Sequence, residues 1–141
     1  MNLKKLNLTL DNLDDYNEEA RLKIVRAIAA QYGFQERVIA VDSDNLFNVG
    51  DTWCFYMSGV DCEHYHWIMR YDIKQTNVEI VSSLKISNNI IFPDKILQLS
   101  CFDNIDQTIK NVLKLKRKLQ EQVAKNKLQE AFNIIPSIYN L

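Results

Sequence analysis

The sequence predicts an α+β domain: a single antiparallel sheet of four or five strands, wound as a meander, flanked by an N-terminal helix and a long C-terminal helix. Three observations carry that prediction. Apolar residues recur at helical spacing near both ends of the chain, they alternate through the middle third, and the breaks between the alternating runs are filled by Asn, Asp, Ser and Gly.

In chain order, residues 3–10 read as a short extended arm, because Leu6, Leu8 and Leu10 alternate. Residues 13–32 read as the first helix. Leu13, Tyr16, Ala20, Ile24 and Ala27 share one face, Asp14, Asp15, Glu18 and Glu19 suit its positive N-terminal end, and Gly33 supplies a left-handed stop. Strands are expected at residues 37–41, 52–58, 62–72 and 78–86, with a tight turn at Ser58, Gly59, Val60 and Asp61 and a second turn over residues 74–77. A short helix is expected over residues 95–99 and a long one over residues 104–131, capped by Asp103 and closed before Pro136. In the long helix Ile105, Ile109, Val112, Leu115, Leu119 and Val123 form one stripe. A shift of the apolar set to Leu128, Ala131 and Phe132 implies a break near Lys125 and Asn126.

The chain of 141 residues suits one domain, residues 1–141; no repeat and no Pro-, Gly- or Ser-rich linker divides it. Only three glycines occur, Gly33, Gly50 and Gly59, too dispersed for a phosphate-cradling loop or a dinucleotide fingerprint. No apolar run reaches the length of a membrane span or a signal peptide, and three cysteines in a chain of this size point to free thiols, so a cytoplasmic protein without membrane contact is expected. The formal net charge of −1 conceals a polarity. Through Thr108 there are 10 Lys and Arg against 16 Asp and Glu, a net −6, and from Ile109 onward 7 against 2, a net +5. One-signed regions either neutralise each other within a fold or present fields to partners.

Three groups of residues are candidates for function. On a strand over residues 62–72, Cys62, His64 and His66 project from one face about 7 Å apart, and a thiolate with two imidazoles is a ligand set for zinc or iron. Three ligands from one strand do not close a tetrahedron, so a metal requires further groups from a neighbouring strand or turn. Trp53, Tyr56, Tyr65 and Trp67 supply the aromatic density that protein interfaces favour. Lys110, Lys114, Arg117, Lys118 and Lys125 line the side of the long helix opposite its apolar stripe and suit phosphate contacts, although the chain's isoelectric point near 6.1 opposes that reading. The same helix, whose stripe approximates a heptad seam, allows a homodimer.

Cys101, just before the long helix, is a candidate nucleophile with His64 or His66 as base, but no enzyme motif of specific spacing occurs. By elimination the sequence points to a small non-catalytic binding protein that recognises another macromolecule, with the profile of an inhibitor, an immunity protein, a secretion chaperone or a phage counter-defence protein. Its alternatives are a metal-binding protein or enzyme and a nucleic-acid binder.

Overall fold

The computed structural model describes residues 8–39, 52–60 and 67–139, with side chains as far as residue 133. Its elements are α1 (Glu18–Gln31), β1 (Gln35–Ile39), β2 (Thr52–Tyr56), β3 (Met69–Asp72), β4 (Val78–Val81), β5 (Leu84–Ser87), β6 (Ile90–Pro93), β7 (Ile96–Leu99) and α2 (Phe102–Tyr139). The α+β class is as the sequence predicts. Five strands form an antiparallel sheet in the order β1-β2-β3-β4-β7, and β5 pairs with β6 in a two-stranded extension.

The first helix starts later than its apolar spacing implies. Leu13–Asp15 is a separate 3-10 turn, and Asn17 caps α1 by accepting a hydrogen bond from the Ala20 N–H at 2.8 Å. Leu13 is fully buried, and its N–H donates to the Ser100 carbonyl, so this turn is held by the C-terminal part of the sheet instead of by α1. At the other end Gly33, with φ of 73°, donates to Ala30 and the Phe34 N–H donates to Ala29, which is the Schellman arrangement.

Residues 78–99 form one long bent hairpin. Val81 pairs with Ile96 and Leu84 with Pro93 in an unbroken register, and Ser82 and Asp94 bridge the bend by donating to Lys95 and Ser83. Its tip is Asn88 and Asn89, both at positive φ (52° and 60°), the backbone a two-residue I′ turn demands and one that asparagine tolerates. The helix expected over residues 95–99 is therefore a strand. Residues 96–99 are too few to show a period, and their partner β4 supplies the ladder that decides the matter.

The core lies on the face of the sheet formed by Phe55, Met57, Met69, Tyr71, Val78 and Ile80. Ile24, Val25 and Ile28 of α1 and Phe102, Ile105, Ile109 and Val112 of α2 belong to the same cluster, as do Leu84 and Ile91 of the hairpin. Burying side chains of this size stabilises the fold by about 1.5–3 kcal/mol each before ordering costs. The Tyr32 hydroxyl, donating to the Asp106 carboxylate, ties the end of α1 to α2, and burial pushes its pKa up.

Three features of α2 differ from the sequence reading. It begins at Phe102, with the Cys101 carbonyl accepting from Ile105, so Asp103 lies inside the first turn and is not the cap. It runs unbroken through Lys125 and Asn126. It also continues past Pro136, which removes one hydrogen bond without stopping the helix.

Candidate functional site

The alternation of β2 separates two of the aromatic candidates. Trp53 lies on the core side of the sheet, half-buried, with the Arg26 guanidinium 4.5 Å from its ring centroid. Arg26 also bonds both carboxylate oxygens of Glu36, at 2.7 and 3.1 Å, and this partner holds the Glu36 carboxyl below the usual range. Trp53 is thus one layer of a stack joining α1, β1 and β2. Tyr56, three residues on, sits on the opposite face with Arg37 5.4 Å from its ring. Trp67 packs half-buried against the core cluster. Tyr65 lies outside the described residues.

Cys62, His64 and His66 also lie outside the described residues, so the zinc or iron reading is not placed. Among the described residues no group of three His, Cys, Asp or Glu side chains converges. Cys54 is buried beside Arg70 and its burial pushes the thiol pKa up; Cys101 is half-buried in a bridge to Asn12 at the start of α2. The bases proposed for Cys101 are the same His64 and His66.

The basic residues form the best-defined surface. At 3.6 residues per turn the core stripe of α2, Ile105, Ile109 and Val112, continues through Leu119 and Val123, which pack half-buried against the same cluster. About half a turn away, within an arc of roughly 100°, lie Lys114, Arg117, Lys118, Glu121, Lys125, Leu128 and Phe132. All seven are exposed. Lys110 shares the arc but is engaged by Asp106 at 2.8 Å. No ion pair among the described residues engages Lys114, Arg117, Lys118 or Lys125.

Leu128 and Phe132 are 59% and 64% exposed, the highest values among the large apolar residues described. They sit one helical turn apart and face away from the domain. The shift in apolar phase near Lys125 and Asn126 is not a break but a second stripe on a continuous helix. The last support α2 receives from the hairpin is polar: Asn126 donates to Asn89, and Asn89 donates to Glu130. Asn126 and Glu130 lie on the inner arc, so this clasp leaves the outer one free.

The concave features lined by described residues are shallow. A groove of 260 Å³ lies between Gly59, the hairpin tip and Gln120 and Val123 of α2, and a depression of 440 Å³ lies over Lys85, Ser87, Phe92 and Pro93. Among the described residues, no cysteine, histidine or carboxylate lines either of them. A notch of 20 Å³ gathers Arg70, Asp72 and Glu79, with room for about one water molecule. Reacting groups and a substrate-sized cavity do not coincide among the described residues. No helix among them is long and apolar enough to cross a membrane. Comparison with known proteins returns no matching family model, no matching curated protein and no matching solved structure.

Sequence reasoning found the cations of this surface and missed its apolar end. The signal was present: Leu128 and Phe132 fall in phase with Lys114 and Lys125, not with Ile105 and Val123.

Proposed function

We propose that this is a non-catalytic binding protein that recognises another protein, and that the outer arc of α2 from Lys114 to Phe132 is its contact surface. One observation carries the reading: Leu128 and Phe132 are exposed on a helix face turned away from the chain's own core. Two large apolar side chains left in water one helical turn apart form an exposed patch of the kind that marks contact sites, and truncating an anchor at the centre of an interface costs about 2 kcal/mol or more of binding.

A nucleic-acid reading draws on the four cations that form no ion pair among the described residues. Glu121 sits among them, however, and the chain as a whole is not basic. Affinity for duplex DNA that falls steeply with salt and is lost in Lys114→Glu or Arg117→Glu is the behaviour that reading requires.

The deciding experiment is purification from the native source of the wild-type chain and of a Leu128→Asp, Phe132→Asp double variant. The wild type is expected to carry a protein in stoichiometric amount and the double variant to lose it at an unchanged melting temperature. Purification of the wild type alone, or retention of the partner by the double variant, contradicts the proposal.

A further inference from the structure

Resting on that reading, we infer that the segment docking on α2 is an acidic amphipathic helix of a different protein, its carboxylates facing Lys114, Arg117, Lys118 and Lys125 and its apolar residues facing Leu128 and Phe132. The surface spans about 27 Å of helix axis at 1.5 Å per residue, the length of a second helix of roughly five turns. It is linear, with one terminal apolar anchor and a cationic run, so its complement carries both features in series on one face. The four cations are exposed and form no ion pair among the described residues, which makes them available to carboxylates.

Charge separates this occupant from the others. A second copy brings the same four cations and one glutamate, so a pair of these faces carries net positive charge on both sides. A helix lying in a lipid surface carries its apolar and cationic residues on different sides, whereas here the two follow one another along a single arc, with Lys114 and Phe132 pointing the same way. A phosphate backbone pairs with the cations, but it leaves Leu128 and Phe132 in water and meets Glu121 as a like charge.

The test uses three synthetic helical peptides of five turns, read by fluorescence anisotropy. The first carries glutamates followed by two leucines one turn apart; in the second the leucines are serine, and in the third the glutamates are lysine. The first is expected to bind at least about tenfold more tightly than either control, and about tenfold more weakly to Lys114→Gln, Arg117→Gln, Lys118→Gln protein or to Phe132→Asp protein. Its affinity should fall between 50 and 300 mM salt by an amount that shrinks in the glutamine variant, an ionic effect of roughly the Debye-screening kind.

Equal binding of all three peptides, affinity unmoved by the glutamine substitutions, tighter binding of duplex DNA or anionic phospholipid vesicles to the same residues, or a self-dimer dissolved by Phe132→Asp each overturns the inference. If the native partner is lost from the Leu128→Asp, Phe132→Asp variant while the first peptide fails to bind, this inference falls and the proposed function stands. If the partner is retained and the peptide fails, both fall.

Discussion

The two ends of α2 differ in what their apolar residues meet. Phe102, Ile105, Ile109 and Val112 are at most 5% exposed beneath the sheet, whereas Leu128 and Phe132, of comparable size, are more than half exposed. Composition does not distinguish them; phase does. On a continuous helix the apolar stripe cannot change side and keep the same partner. A phase shift without a break therefore marks the point at which a helix stops serving its own core, and here that point lies at the hairpin tip, where Asn89 meets Asn126.

The largest expected effect is in the first region. Ile109→Ala removes a side chain that is 1% exposed and should cost about 2–5 kcal/mol in denaturant unfolding, while Phe132→Ala should stay within about 0.5 kcal/mol of wild type. Comparable losses at both positions would break the contrast.

At the boundary, Asn89→Ala replaces an asparagine, which tolerates φ of 60°, by a residue that adopts it less readily, and removes the bonds to Asn126 and Glu130. A loss of about 1–2 kcal/mol is expected, together with faster amide exchange in α2 beyond Lys125. An unchanged exchange pattern would show that the clasp does not support the helix.

The smallest effect lies away from α2 and serves as its control. Arg26 depresses the Glu36 pKa in the folded chain, so the stabilisation is present above the ordinary carboxyl value and is lost as pH falls through the depressed one. Both side chains are more than a third exposed, so the contribution is no more than about 0.2–1 kcal/mol. Glu36→Gln should lower the melting temperature slightly at pH 7 and match wild type near pH 2. A difference that persists in acid would place its origin outside the ion pair.

Much of this architecture was legible in the sequence because strong patterns and local chemistry agree there. The alternation over Thr52–Tyr56, Gly33 as a helix stop and the stripe from Ile105 to Val123 all have the expected structure. What escaped depended on distant partners or on a signal read too coarsely. Ile96–Leu99 has no period of its own and is a strand because Val78–Val81 pairs with it. The Asn88 and Asn89 turn was visible as a dipeptide that tolerates positive φ, and recognising it would have returned the chain along β4 and β5. Asp103 is an acceptable cap residue, yet Phe102 is drawn into the helix by its burial and its bond to Asp11. At the candidate site the cations were legible from helical spacing. The phase of Leu128 and Phe132 was legible in the same way, but whether the helix continues unbroken and leaves them in water depends on where the hairpin ends.

The most direct measurement of the two-region account is residue-resolved amide hydrogen exchange along α2, at a concentration where the chain is monomeric. Amides of Ile105–Val112 should exchange only through global unfolding, and those around Leu128–Phe132 faster by orders of magnitude until a protein partner protects them. Uniform protection of both regions in the isolated monomer, or a partner that protects neither Leu128 nor Phe132, would contradict it.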